Sequence, residues 1–497
     1  MAGPAPQRSA NLLLLALVLL VTAARLWVAA SAGLGDAEAY YWTWSRHLAL
    51  SYYDHGPVVA LLIRLGTALL GQSPLGVRLC FVLISGLQLW LVAVAARRLP
   101  GAPPAAAFWA MGGLLAIPAF QVAGAAANPD VPFMALVSGF IVVGLGPATP
   151  RRVVAAGLLA GLAVSTKLTG LALLLPLVAL IRLEERRVAA SLAGVGAMLL
   201  GALPVIVWNL RHAGAALAYH LVHRHSQPAG PSLLNLAKLI GGQLAYISPL
   251  VLVGLAAAAV VVVRRRNEPP FSVLLWSAVA LLGSGYLLIL VVPGAEPHWP
   301  AAGYLALLPV LAVELPAWIQ RRWIRALTLV AAGFSALVGL ALHLHVLTDL
   351  GVRLMPASYE PRYDLSNELR GWDRVAAAVA RQIARSDART LAAGCHYTSC
   401  AQLAFAARGR FPVRCPSPRL DQHDFFPGGD GSRLRRVDLI YVKDPRFPFG
   451  AAELYRCASV QRLSAVVIHR AGRMVRRFEL ERCRGFAGLA SDRWPPR

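Results

Sequence analysis

The sequence is short of charge, and acidic residues are the scarcest part of it. Charged residues make up 14% of the 497 residues and apolar residues 57%, against about 25% and roughly 45–50% in a soluble domain. A soluble chain this apolar would expose far too much hydrophobic surface. The apolar residues also fall in blocks of about 15–25, near the length that crosses a bilayer. This composition excludes a soluble globular protein and predicts a polytopic α-helical membrane protein.

The excess of basic residues does not indicate nucleic-acid binding. Lys and Arg number 48 against 24 Asp and Glu, but the arginines form short clusters between apolar blocks or follow residue 348. The sequence has no zinc-finger, RNA-binding or Walker pattern. We therefore expect no nucleic-acid partner.

Cysteine is scarce, with six in the chain. Cys80 lies in the apolar region, and the other five follow residue 390 without a CxxC or Cys/His metal spacing. This pattern predicts disulfides in an oxidising compartment, with at least one thiol left free because five is odd. No cofactor or metal site is indicated, although a divalent metal would be compatible with the sequence.

Apolar blocks between turn and charge signals predict about eleven membrane spans. With the N-terminus inside, every cluster of arginines falls on the cytoplasmic side, as the positive-inside rule requires. That agreement splits residues 153–182 into two short segments at "STKLTG" and puts Lys167 at or near the outer surface. The spans are 11–30, 75–96, 104–122, 131–147, 153–166, 168–182, 188–209, 249–263, 272–292, 299–319 and 323–346.

The first span has an alternative reading as a signal peptide with "VAASA" as its cleavage site. Cleavage would leave the later topology unchanged, and we expect the span to be retained.

The outer face receives the polar segments and a tail with the composition of a soluble domain. We predict a transmembrane domain over 1–347, with a first extracytoplasmic loop at 31–74, and an extracytoplasmic α+β domain over 348–497. In the tail, 371–384 has helical spacing, while 436–444 and 464–480 indicate strands, the second with a hairpin turn at Ala471–Gly472.

The first loop contains the densest group of polar and aromatic residues, "GDAEAYYWTWSRHLALSYYDHGP" at 35–57. Asp36 suits the N-cap of an amphipathic helix lying on the membrane, with an aromatic belt of Tyr40, Tyr41, Trp42 and Trp44. Carboxylates at a lipid interface are costly unless they are paired or used. Asp36 and Glu38 are therefore the candidate catalytic pair.

Other polar residues accompany this pair on the same face. "YYDHGP" adds Asp54 and His55, either as a turn or as part of the site. A second amphipathic helix follows, and it carries Arg64 for a phosphate or a lipid headgroup.

Three later segments add candidates at the ends of spans. Asp130 in "ANPDVPF" suits a helix start or a site, and Lys167 at membrane depth needs an anionic partner such as a lipid phosphate. His298 and Trp299 precede the tenth span. The connection 210–248 holds a loose group of histidines that includes His220, His223 and His225, but no spacing there fixes a metal site.

Five segments together resemble the dolichyl-phosphate-mannose protein mannosyltransferase-like family, in its bacterial branch with the GT-C fold. They occur in order over about residues 10–345, and "YDLSNELRGWDRVA" extends the likeness into the tail. The segments are "EAYYWTWSRHLALSYYDHGPVVALLIRLGTALLG", "NPDVPFMAL", "GLLAGLAVSTKLTGLALLLP", "WNLRH" and "PHWPAAGYLALLP".

The resemblance implies a GT-C bundle in the cell (inner) membrane that transfers a sugar from a polyprenyl-phosphate donor at the outer face. The family pattern usually has Asp-Glu directly before Ala-Tyr-Tyr-Trp, whereas here Ala37 separates Asp36 from Glu38, so either is the candidate base. The family's "YYDHPP" reads "YYDHGP", with Gly56 expected to change only the stiffness of the turn.

The resemblance and the chemistry together give each candidate a role. Asp36 or Glu38 would be the base, Asp130 an orienting carboxylate, and Lys167 and Arg64 ligands of the donor phosphate. The remaining residues would line the site or contact the acceptor: Tyr40, Tyr41, Asp54, His55, His298 and Trp299.

Two other classes of membrane protein are alternatives to the enzyme. A secondary transporter would place broken helices at mid-membrane and show internal repeats, whereas here the polar residues lie at span ends on one face. A structural or assembly protein leaves the carboxylates unexplained. Within the enzyme class, a hexosyl or pentosyl group would pass to a lipid A-type glycolipid or, less favoured, to a protein hydroxyl.

Overall fold

The computed structural model describes residues 4–147, 149–222, 230, 232–292, 294–355, 357–427, 437–447 and 449–491. The chain forms two compact units. Unit 1 comprises 1–29, 55–59 and 78–342, and unit 2 comprises 30–54, 60–77 and 343–497. Unit 2 therefore combines the tail with much of the first loop.

Unit 1 is helical throughout its described part. Its long helices follow the apolar blocks of the sequence, and short 3₁₀ segments at Leu168–Leu173 and Trp299–Ala306 interrupt them. The helices are α1 Pro4–Ser31, α4 Pro74–Arg98, α5 Ala106–Leu115, α6 Pro118–Ala123, α7 Asp130–Gly144, α8 Pro150–Val164, α9 Leu174–Arg182, α10 Arg187–Arg211, α11 Ala215–Leu221, α12 Leu233–Ile247, α13 Pro249–Arg264, α14 Pro269–Val291, α15 Leu308–Trp318 and α16 Arg322–Leu347.

Each predicted span coincides with one of these helices or with two consecutive segments. By length and composition, five described helices can cross a membrane, and the number rises to seven if each of two bent pairs counts as one span. The predicted eleven is therefore not confirmed as a number, because several spans consist of shorter pieces such as the 15-residue α7. Breaks at Pro118 and at the 3₁₀ segments shorten the continuous helices.

The connection 210–248 differs from its prediction. It contains an apolar 15-residue helix, α12, which meets α13 at an angle of 99°. Asn235, Lys238 and Gln243 lower the mean hydropathy of this stretch and so obscured the helix in the sequence. At the bend, Ser248 has a left-handed φ of 81°.

The closest helix packing in unit 1 joins α8 to α10 through glycines. A Cβ on Gly157 would lie 2.1 Å from the Gly194 carbonyl oxygen, and one on Gly161 would lie 2.1 Å from that of Met198. Small residues four apart allow two helix backbones to approach in this way. Just beyond α8, Ser165 Oγ donates a hydrogen bond of 2.7 Å to the Gly201 carbonyl. This packing fixes the end of α8, where Lys167 follows.

Unit 2 is an α+β structure around a six-stranded sheet of order β2-β1-β3-β7-β5, with β6 also paired to β7. The three strands β1, β2 and β3 are parallel, and β7 runs antiparallel to β3. The strands are β1 Thr390–Gly394, β2 Val413–Arg414, β3 Val437–Lys443, β4 Tyr455–Arg456, β5 Ser459–Arg462, β6 Val466–Arg470, β7 Arg473–Phe486 and β8 Gly488–Leu489. The helices are α2 Asp36–Ser45, α3 Val58–Leu70, α17 Leu350–Leu354, α18 Trp372–Ala384, α19 Tyr397–Ala407 and α20 Ala451–Leu454, with α3 beginning in unit 1.

Strand β3 shows why the sheet has two cores. Ile440 and Val442 pack with α18 and α19 on one face, while Leu439 and Tyr441 lie in a second cluster on the other. Alternate residues of a strand point to opposite faces, so an apolar strand such as this one is buried on both.

The elements expected in the tail are largely confirmed. The helix at 371–384 is α18, and the strand expected at 436–444 is β3 over its described part, since residue 436 lies outside the described residues. The hairpin between β6 and β7 turns at Ala471 and Gly472, whose φ values of 45° and 81° suit a two-residue turn. Disulfides join Cys400 to Cys415 and Cys457 to Cys483, and Cys395 is free, as the odd count required.

Candidate functional site

Helix α2 in unit 2 carries the predicted catalytic pair, but Asp36 is not its N-cap. Gly35 takes that position, and the Glu38 carboxylate accepts a hydrogen bond of 2.7 Å from the Gly35 amide. Glu38 thus satisfies an N–H that the helix start would otherwise leave unpaired. Since a neighbour does the capping, the carboxylate of Asp36 is available for other partners.

Asp36 is buried, and both of its carboxylate oxygens accept hydrogen bonds from residues far along the chain. Gln402 Nε2 lies 3.0 Å from Oδ1, and Arg446 Nη1 lies 2.5 Å from Oδ2. The exposed fraction of Asp36 is 7%, so the ionised carboxylate depends on these donors for the hydrogen bonds that water would give.

Arg446 joins Asp36 to two more acidic residues of unit 2. Its guanidinium lies 3.3 Å from Glu368 and 2.6 Å from Asp444, and Arg476 contacts the same Asp444 at 3.0 Å. Burial, together with the negative charge of Asp36, raises the pKa of Glu368. Burial also opposes ionisation of Asp444, but the hydrogen bond from Arg446 and the charge of Arg476 hold the Asp444 pKa below its ordinary value. We call these five residues, Asp36, Glu368, Asp444, Arg446 and Arg476, the Asp36 network.

Asp54 is held by an aromatic side chain of α2. The Tyr40 hydroxyl donates a hydrogen bond of 2.8 Å to Asp54 Oδ2 and accepts one of 2.8 Å from the Gln422 amide. Gln422 Oε1 in turn accepts from the Tyr53 amide at 2.7 Å. The segment that begins "YYDH" is therefore bound to the tail through Gln422 and through the Tyr53 ring, which stacks on that of Phe425 at 5.4 Å.

The aromatic residues of α2 do not form the predicted lipid-facing belt. Tyr40 and Trp44 are 3% and 0% exposed, and the Tyr40 ring lies 4.4 Å from that of Tyr397 in α19. Tyr41 packs against Trp44 at 4.8 Å. An amphipathic pattern cannot distinguish a protein partner from a lipid one, and here the partner is α19.

Arg64 lies exposed on α3 in unit 2. Within the described ranges, no carboxylate lies at ion-pair distance from it. The proposed role of Arg64 as a ligand of the donor phosphate therefore stays a prediction.

A second acidic cluster lies in unit 1, where Asp130 is the first residue of α7. The side chain of Asn128 accepts a hydrogen bond of 3.1 Å from the Val131 amide at this helix start. Asp130 is thereby available to Lys167, whose Nζ lies 2.7 Å from its Oδ1. His298 Nε2 lies 3.7 Å from Oδ2. The structure thus unites three residues predicted from separate segments, which we call the Asp130 cluster.

The partner that Lys167 needs at membrane depth is a side chain of the protein, since its exposed fraction is 9% and Asp130 neutralises its charge. Two other predicted residues also lie in unit 1. Trp299 is the first residue of the 3₁₀ segment that follows His298. The ring centroid of His55 lies 6.1 Å from that of His220. His223 and His225 lie outside the described residues.

Close packing, and not only the stiffness of the turn, explains why residue 56 is a glycine. A Cβ at this position would lie 1.9 Å from the carbonyl oxygen of Ser165, two residues before Lys167. The Val58 amide also points at that oxygen, at 3.5 Å. The segment 55–59 therefore lies directly against the end of α8, and any side chain at position 56 would force them apart.

An apolar cavity of about 530 Å³ begins beside Lys167 in the chain. Val164 and Leu168, which flank the segment containing Lys167, both line it, and Asn209 is the one polar side chain among the described residues of its wall. The remaining wall comes from the 3₁₀ segment, the start of α9, α10, α11 and the turn between α10 and α11: Leu171, Leu174, Val195, Met198, Leu199, Ala202, Val205, Ile206, Leu210, Ala213, Gly214 and Leu217.

One group among the described residues has metal-ligating geometry, formed by Cys415, Asp421 and His423. Cys415 is bonded to Cys400, so its sulfur is not a thiolate ligand in this state. His423 is already paired with Asp421 at 2.9 Å.

Sequence reasoning missed the residues that bind Asp36. Glu368 lies in "YDLSNELRGWDRVA", which resembles the family, but neither Gln402 nor Arg446 belongs to a recognisable motif. "KDPRF" at 443–447 offered the one available signal, a buried-strand end followed by an Asp-Pro-Arg turn. Nothing in the sequence connects that turn to residue 36.

Comparisons with known proteins agree with this fold. Residues 54–208 match the family model described as dolichyl-phosphate-mannose-protein mannosyltransferase. The lipid A galacturonosyltransferase RgtD of Rhizobium johnstonii is 26% identical over 303 residues, and the alignment covers 59% of this chain and 62% of the relative. The chain therefore aligns with less than two thirds of that relative's length.

Two solved structures cover nearly the whole chain. ArnT from Cupriavidus metallidurans, bound to undecaprenyl phosphate, matches with a TM-score of 0.61 at 19% identity over 95% of this chain and 97% of its own. The apo state of the same protein gives a TM-score of 0.62 at the same identity and coverage. The chain is therefore a multi-pass membrane protein with the GT-C fold of ArnT, and part of it is similar in sequence to a lipid A galacturonosyltransferase.

Proposed function

We propose that this protein is an integral membrane glycosyltransferase that moves a sugar from a polyprenyl-phosphate donor to an acceptor at the outer face of the membrane. The transferred sugar is a hexosyl or pentosyl group. The acceptor oxygen attacks the anomeric carbon, the bond from that carbon to the phosphate oxygen breaks, and polyprenyl phosphate leaves. A carboxylate takes the proton of the acceptor hydroxyl.

Two observations in unit 1 carry this proposal: the Asp130 cluster, and an apolar cavity lined by Leu168, the residue that follows Lys167 in the chain. Lys167 pairs with Asp130 at 2.7 Å, and the residues on either side of the Lys167 segment, Val164 and Leu168, line a cavity of about 530 Å³. A polyprenyl-phosphate donor needs this combination, because its isoprenoid chain is apolar and its phosphate is anionic. A cation at the edge of an apolar groove can bind both parts.

Lys167 would stabilise the negative charge that grows on the departing phosphate. In the described state its charge is neutralised by Asp130, so donor binding would share or replace that ion pair. His298, at 3.7 Å from the same carboxylate, is positioned to hold Asp130 when Lys167 turns to the phosphate. Arg64 is a second candidate ligand for the phosphate, from its exposed position on α3.

The base is proposed to be Asp36 or Glu38. Both oxygens of Asp36 are engaged by Gln402 and Arg446, and one oxygen of Glu38 is engaged by the Gly35 amide. In the family pattern the glutamate directly precedes Ala-Tyr-Tyr-Trp, and Glu38 keeps that second acidic position while Asp36 is displaced by one. This alignment favours Glu38 as the base and Asp36 as the residue that orients α2.

The acceptor is proposed to be a lipid A-type glycolipid rather than a protein hydroxyl. The relative that acts on lipid A supports this choice. Tyr40, Tyr41, Asp54, His55, His298 and Trp299 are proposed to line the site or contact the acceptor.

The proposed location is the bacterial cell (inner) membrane, with the N-terminus in the cytoplasm. The domain 348–497 would face outward, where the two disulfides would be stable. The transmembrane domain would comprise 1–347 with its first loop at 31–74. Labelling single cysteines introduced near residues 98 and 374 with a membrane-impermeant maleimide tests the orientation, and labelling near 98 from outside would contradict it.

The activity is tested with the purified full chain, synthetic polyprenyl-phosphate sugars and a bacterial membrane lipid extract. We expect a mass increase of one sugar residue on a glycolipid, dependent on both the chain and the donor. Glu38→Gln and Lys167→Ala serve as inactive controls. If no lipid or protein gains a sugar from any donor while a known relative is active in parallel, the proposal is wrong.

A further inference from the structure

Unit 2 contains a cationic and aromatic cavity that the proposed catalytic residues do not line. Its volume is about 210 Å³, below the roughly 300–1,000 Å³ of sites for drug-sized ligands. Its size therefore suits one sugar ring or one phosphate group. Six side chains give it its chemistry: Trp42, Arg46, His47, Arg414, His423 and Phe426.

Three separate segments bring these side chains together. Trp42 lies in α2, with Arg46 and His47 just after it, Arg414 is in β2, and the 3₁₀ segment Gln422–Phe425 carries His423. The Cys400–Cys415 disulfide ties α19 to the residue after Arg414, so the wall that carries this arginine is covalently fixed. The cavity is therefore an organised part of unit 2.

Among the described residues that line the cavity, the charged side chains are both arginines. Arg46 and Arg414 are exposed, and neither has an acidic residue at ion-pair distance in the described part of the chain. No described carboxylate lines the cavity, and Asp421 behind it is paired with His423 at 2.9 Å. Burial, then the charges of Arg414, Arg46 and His423, lower the pKa of His47.

Aromatic faces accompany these cations. The His47 and Phe426 rings lie 4.5 Å apart, and Trp42 is held by a hydrogen bond of 2.6 Å from its Nε1 to Gln72. Aromatic faces pack against the apolar face of a sugar ring, while paired arginines bind phosphate or carboxylate oxygens. A simple phosphate site would need the arginines alone.

We propose that this cavity binds an anionic saccharide headgroup, a sugar that carries a phosphate or a carboxylate. Its role as a subsite for the glycolipid acceptor rests on the proposed function, whereas the binding itself does not. Arg46 and Arg414 bind the anionic group, and Trp42 and Phe426 contact the sugar.

Binding is measured by isothermal titration calorimetry on the full chain in nanodiscs of phosphatidylcholine, with no donor present. The probes are N-acetylglucosamine 1-phosphate, N-acetylglucosamine and inorganic phosphate. We expect the sugar phosphate to bind at least tenfold more tightly than either of its parts. Arg414→Gln and Arg46→Gln should each weaken it about tenfold, the loss expected for one charge-assisted hydrogen bond.

Arg374→Gln is the matched control, because Arg374 is exposed on α18 and does not line the cavity. Equal affinity in the Arg414→Gln and Arg374→Gln chains would overturn the proposal. So would inorganic phosphate binding as tightly as the sugar phosphate, since the aromatic wall would then contribute nothing. Absence of sugar-phosphate binding up to millimolar concentration would have the same meaning.

A second arm identifies the source of the headgroup. Binding of the soluble sugar phosphate is measured again in nanodiscs that contain lipid A as a competitor. The lipid A is either intact or enzymatically dephosphorylated. Competition by intact lipid A alone supports a membrane-borne ligand, and absence of competition by either form overturns the acceptor role while leaving the soluble site. Because no sugar is transferred, failure of the glycosyltransferase proposal and failure of this one give different results.

Discussion

Asp36 in unit 2 and Asp130 in unit 1 are both first residues of a helix, and both face a cation. In each case another side chain satisfies the helix start, Glu38 for α2 and Asn128 for α7, so the aspartate is left for a second task. The surroundings differ, because Asp36 belongs to a network of three carboxylates and two arginines, whereas Asp130 is paired with one lysine.

This difference separates two uses of a buried carboxylate. Arg446 keeps Asp444 if Asp36 is lost, so the Asp36 network is redundant and resists rearrangement. Lys167 and Asp130 have one strong partner each within the described cluster, so a phosphate that enters can take Lys167 away. The network suits positioning, and the cluster suits exchange with a ligand.

The largest expected effect comes from the two carboxylates of α2. Glu38→Gln keeps an oxygen to accept from the Gly35 amide, so the chain should fold normally while transfer falls about 10²–10⁴-fold, as for loss of a general base. Asp36→Asn should lower transfer less and reduce thermal stability, because Arg446 loses a charged partner. Initial rates and melting curves separate the two. Full activity in both variants would exclude this pair from the chemistry.

The next largest effect concerns the ion pair between Lys167 and Asp130 in unit 1. Lys167→Ala removes the cation that neutralises the buried Asp130, which should cost about 3–5 kcal/mol of stability, since an uncompensated buried charge is expensive. Lys167→Arg keeps the charge and should recover most of the stability. Donor binding, measured with undecaprenyl phosphate, should vanish in the alanine variant. Equal donor affinity in the two variants would argue against a phosphate contact.

Gly56 tests whether the position of Lys167 depends on close backbone packing. Gly56→Ala would place a Cβ 1.9 Å from the Ser165 oxygen, so we expect a loss of about 1–3 kcal/mol. Gly196→Ala on α10 is the control, since its Cβ would meet no atom within 4 Å. In a helix interior that change should be neutral or stabilising by roughly 0.5–1 kcal/mol. A Gly56→Ala chain as stable as the control would contradict the packing argument.

The smallest effect is the response of unit 2 to acid. Despite burial, hydrogen bonds from Ser366, Tyr359 and His345 lower the pKa of Asp364 to about 2. A lowered carboxylate pKa stabilises the fold above the unfolded value near 3.8 and loses that contribution as the pH falls towards 2. The free energy of unfolding should therefore fall by on the order of 1–2 kcal/mol between about pH 4 and pH 2. The melting temperature should fall over the same pH range. Asp364→Asn should be less stable at pH 7 and should show a flatter fall, whereas an unchanged pH profile would count against this assignment.

The sequence predicted the membrane class, the helical segments and the α+β tail, because each depends on local composition or periodicity. It also selected Asp130, Lys167 and His298, whose charges at span ends are hard to explain otherwise. It placed the N-cap of α2 at Asp36, one residue later than the observed Gly35, since both residue types are plausible N-caps. It interpreted Tyr40 and Trp44 as a lipid belt because hydropathy does not identify the partner.

The sequence by itself determined which segments are apolar, where the arginines cluster and which polar residues stand at the ends of spans. These properties follow from neighbours in the chain, and they sufficed to predict the GT-C fold through a family resemblance. Only the tertiary structure decided that Gln402 and Arg446 bind Asp36, that Lys167 pairs with Asp130, and that Arg46 and Arg414 share a cavity. Such pairs join residues tens to hundreds of positions apart, so their geometry exists only after the chain has packed.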